Sequence, residues 1–214
     1  AIIIHYTGMQ SERESLDRLC NPKSKVSSHF VINRKGKVYR LVKDNQIAWH
    51  AGKSCWGKFK NLNKKSIGIE LVNKGHRFGY TSFTEQQIFN LMKICKSLIK
   101  KYKIKKKNIV GHSDIAPLRK KDPGEKFPWK FLSENKIGIW HNIDQKKLKI
   151  LRGDNSNLNI NYFLNKLKKF GYSVNYSNTN ELKKIIKSFQ RRFRPESING
   201  KLDQECLEII KSLI

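Results

Sequence analysis

Short apolar runs alternate with amphipathic stretches over the first 143 residues. Ile2 to Tyr6 is an unbroken apolar run of the kind found in strands covered on both faces. Ser66 to Val72 is a second, interrupted by Gly68 and by a single carboxylate, Glu70. His29 to Asn33 and Lys37 to Val42 flank Arg34-Lys35-Gly36, which predicts a hairpin. Ser11 followed by Glu14 marks the start of a short helix to about Leu19. Thr84 and Gln87 open a longer one, because Ile88, Leu91, Met92, Cys95, Leu98, Ile99 and Tyr102 recur at helical spacing. Asn108 to Gly111 then predicts a short strand leading directly into His112. Residues 113 to 129 are rich in Pro, Gly and charge, and a long irregular stretch of this kind in a compact domain is usually functional or disordered. The alternation as a whole predicts an α/β unit.

Beyond Asp144 the pattern turns purely helical. One stripe runs through Ile160, Phe163, Leu164 and Leu167, a second through Leu182, Ile185, Ile186, Phe189 and Phe193, and a third through Leu207, Ile210 and Ile214. We therefore expect a unit over residues 1–143, a linker over 144–156 and a small three-helix domain over 157–214. At that size the last is marginal on its own.

Composition narrows the class. A hydrophobic share of 38% supports a real core, and no apolar run approaches the roughly 20 residues of a membrane-spanning helix. The sequence starts inside an apolar run with no charged leader, so an expected targeting segment has been removed or was never there. Cys20, Cys55, Cys95 and Cys206 are widely spaced and are expected as free thiols. The formal charge of +28 raises the question of a polyanionic partner. Lysines outnumber arginines 35 to 10, however, and no patch combines Arg with interleaved aromatics, so specific nucleic-acid recognition is not expected.

The candidate chemistry centres on histidine. His5 and His112 both stand at the C-terminal ends of apolar strands, and Asp122 follows His112 by ten residues in a Lys121-Asp122-Pro123-Gly124 turn. Two imidazoles and a carboxylate with a fourth position open form a common donor set for catalytic zinc, although only the fold can bring His5 to His112. Glu70 on an otherwise apolar strand would be costly to bury without a role or a partner.

These residues resemble a family. Ile3-Ile4-His5-Tyr6-Thr7, Ala48-Trp49-His50-Ala51-Gly52, Ile67-Gly68-Ile69-Glu70-Leu71, Val110-Gly111-His112-Ser113-Asp114-Ile115-Ala116-Pro117 and Arg119-Lys120-Lys121-Asp122-Pro123-Gly124 stand in the order seen in the type-2 N-acetylmuramoyl-L-alanine amidases of the AmpD/AmiD type. That group shares its fold with peptidoglycan recognition proteins. The resemblance spans about residues 1 to 135 and implies a mixed central sheet flanked by helices. Ser188-Phe189-Gln190 and Asn199-Gly200-Lys201-Leu202-Asp203 are similar to the three-helix peptidoglycan-binding module of the AmiD type.

Carried over, the resemblance implies zinc on His5, His112 and Asp122, Glu70 as general base and Lys120 as oxyanion stabiliser. Trp49 and His50 would line a substrate groove, and His29 would lie near the site. It further implies cleavage of the amide between the muramic acid lactyl group and L-alanine, in peptidoglycan or in muropeptides that include the anhydro forms. No organic cofactor is expected. A monomer at the cell envelope or in the periplasm is expected, with a cytoplasmic recycling role as the alternative. A non-catalytic peptidoglycan recognition protein is the rival reading, with a nucleic-acid binder behind it. His76 and His141 are expected at the surface, while Trp56 and Trp129 fit either core or groove.

Overall fold

The computed structural model describes residues 1–214. Its first element is the expected buried strand, β1 (Ile2–Tyr6), which lies between β6 (Ile67–Leu71) and β7 (Ile109–Gly111) and runs parallel to both. The hairpin strands β2 (Phe30–Ile32) and β3 (Val38–Arg40) complete a five-stranded sheet of order β3-β2-β6-β1-β7. Only the β2–β3 pairing is antiparallel, so the sheet is mixed. A two-stranded ribbon, β4 (Cys55–Trp56) and β5 (Phe59–Lys60), stands apart.

Side chains alternate across the sheet, and the alternation decides what each face covers. Ile2, Ile4, Ile67, Ile69 and Ile109 pack on α3 (Glu85–Tyr102), through Ile88, Leu91, Cys95 and Leu98. Thr84 and Gln87 close both bonds of a capping box at the start of that helix. At α1 (Glu12–Cys20) Ser11 accepts from Glu14 N–H, but the Glu14 carboxylate returns its bond to Gln10 N–H, one residue earlier than the pattern predicts. The short helices α2 (Gly75–Phe78), α4 (His112–Ile115) and α5 (Trp129–Glu134) punctuate the loops at the C-terminal edge of the sheet.

Ile3 and Val110 point to the other face, where the C-terminal helices cover them. These are α6 (Gln145–Leu151), α7 (Ile160–Phe170), α8 (Thr179–Phe193) and α9 (Gln204–Ser212). The three stripes read from the sequence form α7, α8 and α9, and Phe163, Phe170, Phe189 and Phe193 share one cluster with Ile3, Trp56 and Leu62. Residues 144–156, expected as linker, instead carry α6, whose Leu148 is buried and whose Asp144 accepts from Lys146 and Lys147 N–H. The helices share one continuous core with the sheet.

Trp56 and Trp129 are both core, at 2% and 3% exposure. All four cysteines are free, with Cys95 and Cys206 buried. No helix is long and apolar enough to cross a membrane.

Candidate active site

Register places the site. His5 lies on the same sheet face as Ile3, and its partner across the parallel β1–β6 pairing is Glu70. Partners in register present their side chains on one side, so the strands alone set an imidazole beside a carboxylate. His112 follows β7 at the start of α4, and Ser113 N–H donates to the Asp122 carbonyl at 2.8 Å, which ties the two ligand-bearing turns together.

His5 Nδ1, His112 Nδ1 and Asp122 Oδ2 stand 3.0 Å from one another on every edge. All three residues are buried. The hydrogen bonds around them fix which ring nitrogens carry protons. His112 Nε2 lies 3.1 Å from the Ala51 carbonyl, which can only accept, so the proton sits on Nε2 and Nδ1 keeps a lone pair. His5 is set through a longer chain. Ser66 O–H donates to the Leu62 carbonyl at 2.5 Å, and so its oxygen accepts from His50 Nε2 at 3.4 Å. His50 Nδ1 then accepts from His5 Nε2 at 3.0 Å, which leaves His5 Nδ1 with a lone pair as well.

Three acceptors therefore converge with no proton among them, an arrangement that repels itself unless a cation lies between. A tetrahedral ion with nitrogen and oxygen bonds of about 2.0–2.1 Å separates its ligand atoms by about 3.3 Å, close to the observed edges. The donor set fits zinc. Burial, followed by the neighbouring His112, takes His5 down to about 4 and so favours the neutral ring.

Glu70 remains partly exposed as a residue, yet its Oε2 is out of solvent with no hydrogen-bond partner. Burial raises the carboxyl to about 8, Asp122 adds to the rise, and the Lys120 ammonium opposes it. Positive charge held at the triad acts in the same direction as Lys120. Glu70, Lys120 and the triad all line one cleft of about 860 Å³.

Trp49 lies at the rim of this cleft, 52% exposed. His50 lines the cleft as well, though only 8% exposed, and its ring also partners His5 Nε2. Gly68 makes that possible, since a Cβ there would come within 2.4 Å of His50 Cγ. His29 does not line the cleft but packs on the His50 ring, with 5.7 Å between ring centres. It is fully buried, donates from Nε2 to the Gln46 carbonyl and accepts Gly68 N–H at Nδ1, both at 3.0 Å, so it braces β6.

Three residues escaped the sequence reading. Arg119 lines the cleft and donates to the carbonyls of Ala51 and Lys53, fixing the loop that receives the His112 proton. Tyr6 and His76 meet at 2.9 Å in the cleft wall, with His76 leaning on Glu125 at 3.1 Å. His76 is exposed, as expected, and also lines the cleft, whereas His141 is buried against the Phe193 carbonyl. Arg119 and Tyr6 do sit inside motif segments; His76 had no signal in the sequence.

A mixed sheet carrying a His-His-carboxylate cluster able to hold a metal ion at the C-terminal ends of its strands, beside an unpaired buried glutamate, has the parts of a hydrolase site. The chain belongs to the N-acetylmuramoyl-L-alanine amidase family, whose model matches residues 1–125. It is 35% identical over its full length to the AmiD amidase of Escherichia coli, covering 81% of that protein. It is 41% identical, over 52% of the chain and 60% of the relative, to the 1,6-anhydro-N-acetylmuramyl-L-alanine amidase AmpD of Haemophilus influenzae. The structure of E. coli AmiD in complex with the substrate anhydro-N-acetylmuramic acid-L-Ala-D-gamma-Glu-L-Lys matches all of this chain and 87% of its own, with a TM-score of 0.89 and 34% identity. AmpDh3 of Pseudomonas aeruginosa matches 99% of the chain and 89% of its own at a TM-score of 0.88 and 31% identity. The chain is an N-acetylmuramoyl-L-alanine amidase, and the non-catalytic reading is set aside.

Proposed function

We propose that the amidase is zinc-dependent and cleaves the bond between the muramic acid lactyl carbonyl and the L-alanine nitrogen of muropeptides, anhydro forms included. The observation that carries the reading is the convergence of two imidazole nitrogens and a carboxylate oxygen at 3.0 Å from one another, next to a partnerless buried carboxylate oxygen. A zinc ion held by His5, His112 and Asp122 would supply positive charge that polarises the carbonyl and acidifies water. The rest belongs to the chain. Glu70 takes the proton of the attacking water and later returns it to the alanine nitrogen as the C–N bond breaks, leaving a lactyl carboxylate and a free amine. Lys120 offers its ammonium to the oxygen that becomes negative.

The full-length likeness to an amidase whose structure holds an anhydro-muropeptide supports the substrate class. Arg18 and Arg77 line the cleft beside the triad and suit the carboxylates of a stem peptide. We place the enzyme at the cell envelope, where a chain of charge +28 meets an anionic polymer, and read it as a monomer.

Elemental analysis of the purified protein is expected to give one zinc per chain. Amidase activity on an anhydro-muramyl tripeptide should vanish with a chelator and return on adding zinc. Because neutral imidazoles are needed to hold the ion, acid should release it. Full turnover by metal-free protein would reject the reading.

A further inference from the structure

The C-terminal helices reach the metal-ligand turn directly. Asp114, two residues after His112 and 1% exposed, accepts Gly111 N–H through Oδ2 at 2.7 Å, which shapes the turn that carries His112. Its two oxygens are also held from outside. Tyr172, just after α7, donates its O–H to Oδ1 at 2.6 Å, and Arg192 of α8 donates to Oδ2 at 2.8 Å. Arg192 donates further to the Ile109 carbonyl of β7 at 3.2 Å and stacks on Trp129, its guanidinium 3.9 Å from the ring centre. Ser188, one turn earlier on α8, donates to the Ser113 carbonyl at 2.7 Å. Ser113 is the residue whose N–H holds the Asp122 carbonyl.

Both Asp114 oxygens and the Ser113 carbonyl at the start of α4 are therefore bonded by α8 or by Tyr172. All of these partners are buried, so the bonds do not compete with water and their geometry is stiff. Helices that served only to cover apolar surface would not need to aim a serine and an arginine of α8, and the tyrosine after α7, at the segment that carries His112.

We propose that Tyr172, Ser188 and Arg192 are positioning residues for the metal. Acting through Asp114 and the Ser113 peptide, they hold His112 and Asp122 at the separation the ion requires, so the C-terminal helices tune metal affinity besides completing the core. The proposal rests on the zinc reading given above.

The test measures zinc affinity by competition with a chromogenic chelator on the full-length protein and on Tyr172→Phe, Arg192→Met, Arg192→Lys and Arg152→Ala. Arg152 pairs with Glu196 and Glu205 within the helical tail and touches nothing at the turn, so its variant reports on tail stability alone. Tyr172→Phe and Arg192→Met are expected to bind zinc about 10- to 100-fold more weakly, the usual effect of losing outer support at a metal site. Arg192→Lys should recover part of the loss, and Arg152→Ala should bind as the parent does. The visible absorption of the cobalt-loaded forms should shift in the first two variants and stay unchanged in Arg152→Ala. Should Arg192→Met fail to fold, Tyr172→Phe decides by itself, since it removes a single oxygen. Parental zinc affinity in Tyr172→Phe, or an equal loss in Arg152→Ala, overturns the proposal while leaving the zinc reading intact; no zinc on the parent protein overturns both.

Discussion

Glu70→Gln keeps its zinc and loses about two to four orders of magnitude in kcat, the range for removing general acid and base assistance. The amide has nearly the volume of the carboxylate, so the cleft keeps its shape while the group that takes and returns the proton is gone. Stability should hold or rise, because the variant replaces a buried carboxyl whose Oε2 has no partner with a neutral group. That combination separates a catalytic residue from a structural one, which would lose melting temperature along with rate. Lys120→Ala should likewise keep zinc and fall by about two to three orders of magnitude, as expected for one oxyanion donor. Metal content, melting temperature and kcat measured on the same preparations decide the matter. A glutamine variant turning over near the parental rate would move the role of base to another group.

The ease with which Glu70 could be found in the sequence has a physical origin. A lone carboxylate in a strand-forming run violates the pattern around it, and a violation of that kind requires a function or a partner. His5 and His112 were visible for a related reason, since each closes an apolar strand where the chain turns out of the sheet. His50 could not be placed this way. Its position depends on Gly68 of β6, 18 residues further along the chain, whose missing side chain opens the room for the ring, and no local pattern records such a vacancy. His29 is placed near the site by the family resemblance alone, and its ring is bonded to two backbone groups. Helix α6 was passed over because its basic residues dilute the apolar signal, although Asp144 before Gln145-Lys146-Lys147-Leu148 is an ordinary N-cap. Ser188 stands in a segment that resembles a peptidoglycan-binding module and Arg192 beside the apolar stripe of the same helix, and neither position tells what its side chain meets. Only the packing of α8 onto the turn at Ser113 and Asp114 shows that they are buried.

Removing the C-terminal helices should abolish folding and with it activity on every substrate, including small soluble muropeptides. The sequence pattern suggested a separate small domain, whose loss the first 143 residues would survive. The packing argues otherwise. Without α7, α8 and α9, Ile3, Trp56, Leu62 and Val110 lose their cover, and each fully buried side chain of this size is worth about 1.5–3 kcal/mol. Asp114 would also lose the bonds from Tyr172 and Arg192 that hold its turn in shape. A domain's entire stability is about 5–15 kcal/mol, so these losses together consume it. A chain ending at residue 143 is therefore expected to be insoluble or to lack a cooperative melting transition, and to hydrolyse nothing. A tail acting purely as a wall anchor predicts the opposite: a folded fragment that pellets poorly with purified sacculi yet cleaves soluble muropeptides at the parental rate. Circular dichroism melts and soluble-substrate rates on the 1–143 fragment beside the full chain distinguish the two, and a fragment with parental turnover would show that the shared core is dispensable.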